Sequence, residues 1–341
     1  MKYYLEKLAN KQDLTFDEMT QAATECFTDT VSESEIGAFL LGLRAKGETA
    51  DEIAGLAQII RENSAQLTNT IPDAMCNCGT GGDGSNSFNI STTAAFVIAG
   101  AGVTVAKHGN RSISSKTGSA DVLEILGVSL ELSKEQMEEI LHENKIAFIY
   151  APHVHPRIKQ LMKVRKDLRI PTIFNLIGPL TNPVNLDTQL LGVNRRDVLP
   201  MMGETLGKLG RRRAIVINGA GYMDEASLAG ENHITLLDNG EIASFTLHPS
   251  EVDLPVYPIE DIRGGDAKQN AEILLNVLKG SPGAHLDTVL LNAGLGLYAN
   301  GTATNIKEGV AMARESILSG AAMEKLNNLI AYSKKVLSEA I

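Results

Sequence analysis

Two stretches of this chain combine glycines, hydroxyl side chains and cations at a spacing suited to holding a phosphate-bearing anion. The first reads Gly79-Thr80-Gly81-Gly82-Asp83-Gly84-Ser85-Asn86-Ser87-Phe88-Asn89-Ile90-Ser91-Thr92. It follows a short apolar run, Met75–Cys78, and opens an apolar stretch, Ser91–Gly100. That order predicts a strand, a tight loop and a helix whose first backbone N–H groups are free to bind an anion. Glycines let the backbone come close to a ligand and take positive φ. Asn89, Ser91 and Thr92 add side-chain donors at the predicted helix start. The loop lacks the lysine of a Walker A motif and the G-x-G-x-x-G spacing of a dinucleotide fold. Alone, it specifies an anion and no more.

The second stretch is Lys107-His108-Gly109-Asn110-Arg111-Ser112-Ile113-Ser114-Ser115-Lys116-Thr117-Gly118-Ser119-Ala120-Asp121. Three cations, four serines and two glycines fall within the 13 residues from Lys107 to Ser119. A plain solvated face would carry charge without this dilution by hydroxyls. The stretch follows a predicted strand, at the place where open α/β sheets bind ligands.

These loops need a scaffold. Before Pro72 the pattern is helical throughout. Thr15 with Glu18, Ser32 with Glu35 and Thr49 with Glu52 are capping boxes, and Ile36, Phe39, Leu40 and Leu43 share one helical face. After Pro72, strands are predicted at Met75–Cys78, Val103–Ala106, Ile146–Tyr150, Gln189–Val193 and Ala214–Asn218. Helices are predicted at Ser119–Leu126, from Ser133 and Gln136 onward, and at Asp197–Leu209. Alternation of this kind predicts a mainly parallel sheet covered by helices. Asn239-Gly240 marks a hairpin between Ile234–Leu237 and Ile242–Leu247. The last 75 residues read as helix, strand and helix. The expected fold is α/β, with a small all-helical domain over residues 1–72 and a larger α/β domain over 73–341. A further helical segment near 165–188 is expected to pack on the small domain.

Composition fits that scheme. The chain has 341 residues, 43% hydrophobic and 21% charged, with 4% aromatic and no Trp. Leu, Ile, Val, Ala and Met must therefore build the core. A net charge of −10 weighs against a nucleic-acid or anionic-membrane partner. Three cysteines, Cys26, Cys76 and Cys78, suit a reducing cytosol. Cys76 and Cys78 lack further ligands at zinc spacing, so they read as a buried strand leading into the glycine loop. The N-terminus shows no apolar signal region and no stretch is long enough to span a bilayer, so a cytoplasmic location is expected.

The two loops resemble the signature loops of the anthranilate phosphoribosyltransferase family, G-T-G-G-D…F-N-I-S-T and K-H-G-N-R-S…S-S…G-S-A-D-V-L-E…L-G. The resemblance continues through His155-Pro156, Val164-Arg165, Thr172-Ile173-Phe174-Asn175-Leu176-Ile177-Gly178-Pro179-Leu180-Thr181-Asn182-Pro183 and Asp224-Glu225. It implies a nucleoside phosphorylase/phosphoribosyltransferase-like fold. It also implies transfer of the phosphoribosyl group of phosphoribosyl pyrophosphate (PRPP) to the amine of anthranilate, in tryptophan biosynthesis.

By position, the resemblance assigns PRPP to Gly79, Gly82, Asp83, Ser87, Asn89, Ile90, Ser91 and Thr92. It adds Lys107, His108, Gly109, Asn110, Arg111, Ser112, Ser114, Ser115 and Ser119. Anthranilate falls to Gly79, His108, Asn110, His155, Arg165, Gly178 and Pro179, with Arg165 as the carboxylate partner. Asp224-Glu225, which alone would read as a solvated turn, becomes with Ser91 the site of Mg²⁺, at two ions per subunit. A homodimer joined through the helical domain is implied as well. No general acid or base is nominated, because an aromatic amine is uncharged at neutral pH.

Three positions depart from the family pattern: Ser87 for the usual Thr, Lys163 for a common Pro, and Arg157 for a small residue. Two other readings remain open. A pyrimidine nucleoside phosphorylase shares the fold but is longer and has different glycine loops. A non-enzymatic nucleic-acid-binding relative should be basic. A phosphoribosyltransferase of the commoner class would show two acids leading into a Thr-x-Gly-Thr-like loop, and none is present.

Overall fold

The computed structural model describes residues 1–28, 30–67, 71–111 and 117–339. The chain opens with α1 (Lys2–Ala9), α2 (Phe16–Glu25), α3 (Glu33–Lys46) and α4 (Ala50–Glu62). All three expected capping boxes form. Thr15, Ser32 and Thr49 each accept the N–H of the glutamate three residues on, and each glutamate reaches back. Such a cap is worth about 1 kcal/mol and fixes where each helix begins. Ile36, Phe39, Leu40 and Leu43 are buried together, as their spacing predicts.

The rest of the chain alternates. In order come β1 (Met75–Gly79), α5 (Ile90–Gly100), β2 (Val105–Gly109), α6 (Ser119–Ile125), α7 (Lys134–Asn144), β3 (Ile146–Tyr150), α8 (Ala151–Val154), α9 (Lys159–Leu168) and α10 (Phe174–Ile177). Then follow β4 (Thr188–Gly192), α11 (Leu199–Lys208), β5 (Arg213–Asn218), β6 (Asn232–Asp238) and β7 (Glu241–Leu247). The chain ends with α12 (Ala267–Leu278), α13 (Ala284–Asn300), α14 (Ile306–Leu318) and α15 (Ala321–Glu339). The seven strands form one sheet in the order β3-β2-β1-β4-β5-β6-β7. The first five are parallel, and β6 and β7 run antiparallel. Asn239 and Gly240 take φ of 49° and 90°, the left-handed pair that the Asn-Gly hairpin requires.

The sheet separates two apolar clusters. Along β4 and β5, Leu190, Ile215 and Ile217 join a cluster with α5 and α13. Leu191, Ala214 and Val216 join a second cluster with residues of α2, α3 and α4. The side-chain period of two along a strand does this sorting. Leu161 and Val164 of α9, with Phe174, Leu176 and Ile177 of α10, belong to the second cluster. One side of the sheet therefore faces the helical bundle, with α11 packed between its strands and α4.

Two expectations change. Among the described residues of the last 75, no strand occurs, and α12 to α15 follow one another. The most apolar part of this region is α13, which is buried on nearly every side. A helix apolar all round loses the 3.6-residue signature that would distinguish it from a buried strand. The second strand also starts later than predicted, at Val105, because Gly102 carries the turn with φ of 101°.

Candidate active site

The sheet order reverses between β1 and β4, with β2 and β3 on one side of β1. Open α/β sheets bind ligands at such a switch point, beyond the carboxyl ends of the strands. Those ends are Gly79 and Gly192. The loop after β5 lies directly across them. A Cβ on Gly79 would strike the Asp224 carboxylate, one on Gly192 the Asp224 carbonyl, and one on Gly219 the Glu225 carbonyl. Three glycines thus make the room that Asp224 and Glu225 occupy.

The glycine loop is tied to this acidic loop. Gly81, at φ of 73°, donates its N–H to Asp224 Oδ2 at 2.6 Å. Thr80 N–H donates to the Gly192 carbonyl at 2.9 Å, and Asn194 Nδ2 to the Gly81 carbonyl at 3.1 Å. Gly82 has φ of 78°. Asp83 Oδ1 accepts both the N–H and the hydroxyl of Ser85 at 3.0 Å, and Asp83 Oδ2 faces the Asp224 N–H at 3.4 Å. Ser87 forms an isolated bridge with Arg263.

At the start of α5, Ser91 is the meeting point. Its N–H donates to Glu225 Oε1 at 3.2 Å and its Oγ accepts from Lys107 Nζ at 3.2 Å. Asn77 Nδ2, in the middle of β1, donates to the Ser91 carbonyl at 2.8 Å. Asn89 caps nothing, because its Oδ1 accepts from Asn270 Nδ2 at 2.8 Å. Ile90 and Thr92 are buried. Backbone and Ser91, more than the Thr92 hydroxyl, therefore face the loop side.

Beyond β2 the second stretch begins. Lys107 and His108 are buried on the strand. Gly109 must be glycine, since a Cβ there would meet Ser119 Oγ and the Phe148 ring. Ser119 Oγ donates to the Asn110 carbonyl at 3.2 Å, closing the base of the loop. Arg111 is engaged by acids: Nη1 lies 2.9 Å from both Asp121 Oδ1 and Glu124 Oε2. It anchors the loop to α6. Ser112, Ser114 and Ser115 lie outside the described residues.

Among the residues expected to take anthranilate, His108 and His155 meet edge to face with ring centroids 5.4 Å apart. Burial, with His155 and Lys107 nearby, lowers the His108 imidazole to about 3. Burial lowers His155 to about 4. Both rings are therefore neutral at pH 7. His108 Nε2 and both ring nitrogens of His155 are buried without a partner among the described residues. The Gly178 backbone is a neighbour of His108, and the Pro179 carbonyl accepts from Gln189 Nε2 at 2.8 Å. Arg165 lies 5.8 Å from the centre of the Phe174 ring. Burial pushes its guanidinium down from the usual value. No carboxylate pairs with it among the described residues. Lys163 bonds Glu33 of α3 at 2.5 Å and so ties α9 to the bundle, while Arg157 is exposed.

The acidic pair has the properties of a cation site. Burial, Glu225 and Asp83 push the Asp224 carboxyl well above its ordinary range. Burial raises Glu225 to about 7, against the pull of Lys107 and Ser91. Three carboxylates crowd here around one lysine, so a bound cation would relieve their repulsion. Among the described residues, no three His, Cys, Asp or Glu groups close into a protein cage. Two adjacent carboxylates suit Mg²⁺, which keeps waters and phosphate oxygens and takes only one or two carboxylates from protein.

Several asparagines that hold this site escape a sequence reading. Asn77, Asn194 and Asn270 act as described above. Asn292 in α13 bonds both the N–H and the carbonyl of Ala226 at 2.9 Å, pinning the residue after Glu225. A single polar residue inside the apolar run Leu290–Leu295 was the available signal for Asn292. For the others nothing local distinguishes a structural asparagine from a surface one.

A helical bundle, an α/β domain and an acid-and-glycine crevice at the switch point define a glycosyltransferase. Residues 2–64 match the helical bundle domain of the glycosyl transferase family, and residues 71–323 match its a/b domain. An anthranilate phosphoribosyltransferase from Oceanobacillus iheyensis is 60% identical over 98% of this chain and 99% of its own length. The anthranilate phosphoribosyltransferase structure from Thermus thermophilus is 39% identical, with a TM-score of 0.92 over 97% of this chain and 99% of that one. The Saccharomyces cerevisiae enzyme, solved in complex with PRPP and Mg, is 28% identical with a TM-score of 0.88, covering 98% and 97%. The chain belongs to the anthranilate phosphoribosyltransferase family.

Proposed function

We propose that the crevice between Gly79–Thr92 and Lys107–Ser119 binds PRPP and that anthranilate enters beside His108, His155 and Arg165. The reaction transfers the phosphoribosyl group to the anthranilate amine and releases pyrophosphate. One observation carries the assignment of the site. Ser91 is bonded at once to Glu225 and to Lys107, so a phosphate there would meet a helix N-terminus, a cation and the acidic loop together.

The residues divide the work. Backbone N–H groups of the glycine loop and of α5 position the phosphates, and Lys107 supplies fixed positive charge. Pyrophosphate departure leaves oxocarbenium character on the ribose, and the neutral amine attacks that carbon. Asp224, Glu225 and Ser91 would hold Mg²⁺, at two ions per subunit, and the metal would supply charge neutralisation for the leaving group. His108 and His155 stay neutral, so they shape and hydrogen-bond the pocket without adding charge. Arg165 is the cation for the anthranilate carboxylate. Holding the partners in line and fixing charge carries the rate, with no proton to remove before attack.

The working unit follows the same plan. Residues 1–72, with the segment near 165–188, form the small domain, and 73–341 form the catalytic domain. The molecule is a cytoplasmic homodimer joined through its helical domain, where Tyr3 and Leu41 are exposed on α1 and α3. No described helix is long and apolar enough to cross a membrane.

The test is a fluorescence assay for phosphoribosylanthranilate with purified protein, PRPP, anthranilate and Mg²⁺. Turnover is expected. No turnover, together with phosphorolysis of a pyrimidine nucleoside, would replace this reading. Asp224→Asn should shift the Mg²⁺ activation curve to higher concentration, and an unchanged curve would remove Asp224 from the metal site.

A further inference from the structure

Cys76 and Cys78 take no part in the chemistry above. Two positions apart on β1, they lie on one face of the strand. Their Sγ atoms are 3.5 Å apart, and the His108 N–H points at Cys76 Sγ at 3.4 Å. Neither is in a disulfide. Cys76 is fully buried, and Cys78 is 9% exposed directly before Gly79. The Cys78 thiol, with help from Lys107 and the His108 N–H, favours the thiolate at Cys76, so the pair gives up a first proton easily and a second with difficulty. A neighbouring donor on sulfur and a nearby cation are what soft-acid binding asks of a thiol pair.

We propose that Cys76 and Cys78 form a two-thiolate site for a thiophilic trivalent metalloid, of which arsenous acid is the simplest form. Binding breaks two As–O bonds and forms two As–S bonds. The two thiol protons leave with the two hydroxides as water, and arsenic keeps its third hydroxyl and its oxidation state. Zinc would need about four ligands, and no set of three gathers here among the described residues. A disulfide would need the sulfurs drawn in to roughly 2 Å. β1 is held by β2 on one side and by β4 on the other, so that closure would pull the strand off its ladders. A bridging atom accepts the sulfurs nearer to where they stand. Lys107 and Glu225 are electrostatic neighbours of Cys78, and Gly79 packs on Asp224. Occupancy of the thiol pair therefore locks the floor of the phosphate site and stops transfer.

The experiment treats the full chain with arsenous acid and reads bound arsenic by intact mass, alongside transfer activity. One arsenic per chain and loss of most activity are expected. Recovery should follow a dithiol but not a monothiol at equal thiol concentration. Cys76→Ser and Cys78→Ser should each abolish binding, and Cys26→Ser should leave it intact. Cys76→Ala and Cys78→Ala repeat the test should a buried serine hydroxyl disturb folding. Arsenic retained by either single variant, or a loss of two hydrogens in place of arsenic uptake, would overturn the proposal. The mass readout stands whether or not the transfer reaction is the one assigned above.

Discussion

Lys107 Nζ lies 3.2 Å from Ser91 Oγ, joining the middle of β2 to the start of α5. The Ser91 N–H donates to Glu225 Oε1 at 3.2 Å, which brings the acidic loop to the same residue. A cation, a helix N-terminus and a carboxylate are thus set around one small volume before any ligand arrives. Preorganised charge of this kind costs no rearrangement when the leaving group develops its charge.

Removing the cation should therefore act on the transition state. Lys107→Met is expected to lower kcat/KM for PRPP roughly 10²–10³-fold, the usual cost of losing one preorganised electrostatic contact. Steady-state kinetics with PRPP varied and anthranilate saturating checks this. A change confined to the anthranilate KM would place Lys107 elsewhere.

Gly79 has no space for a methyl group, because the Asp224 carboxylate occupies it. Gly79→Ala should push the acidic loop aside and cost about a hundredfold in activity, as small misplacements of catalytic groups do. Circular dichroism should remain native. Full activity in this variant would show that the contact between loop and strand is not needed.

Arg165 is a half-buried cation without a carboxylate partner among the described residues. Arg165→Ala should raise KM for anthranilate by about 10–100-fold, the worth of a charged hydrogen-bonded pair. KM for PRPP should change little. Equal effects on both substrates would count against a carboxylate role.

Acid should destabilise the protein through its buried histidines. His108 and His155 fall from an ordinary value of 6.5 to about 3 and about 4. Between pH 6.5 and 4 the unfolded chain binds protons at these sites and the folded chain does not. Stability contributed by the neutral rings is therefore complete above pH 6.5 and is lost as pH falls through that window. Thermal melts at pH 7.5 and 5.0 should show a drop in Tm that shrinks in His155→Phe. The same drop in the variant would assign acid sensitivity to other groups.

Asn292 pins Ala226 by two bonds from inside α13. Asn292→Ala leaves both backbone groups unpaired in a buried place, at a cost of about 2 kcal/mol. Denaturant unfolding should show that loss, and the Mg²⁺ concentration for half-maximal activity should rise. Stability loss without any change in Mg²⁺ dependence would limit Asn292 to a packing role.

Much of this protein is determined by local sequence. The capping boxes at Thr15, Ser32 and Thr49 set helix starts because each needs only residues three apart. Asn239-Gly240 sets its hairpin for the same reason. The glycine loop and the Lys107 stretch name an anion from their own side chains, and the long motif resemblance names the family. Other features required the tertiary structure, because they depend on residues far apart in the chain. Asp224 meets Gly79 and Gly81 only because β4 and β5 bring the acidic loop over the end of β1. Arg111, which the resemblance assigns to the ligand, is held by Asp121 and Glu124, ten and thirteen residues further along the chain. The strand expected in the last 75 residues gives way to helices, and α13 among them is buried on nearly every side, which hides its helical period. Periodicity and short-range capping are written in neighbouring residues; the convergence of charge at Ser91 depends on the sheet order, which no short segment encodes.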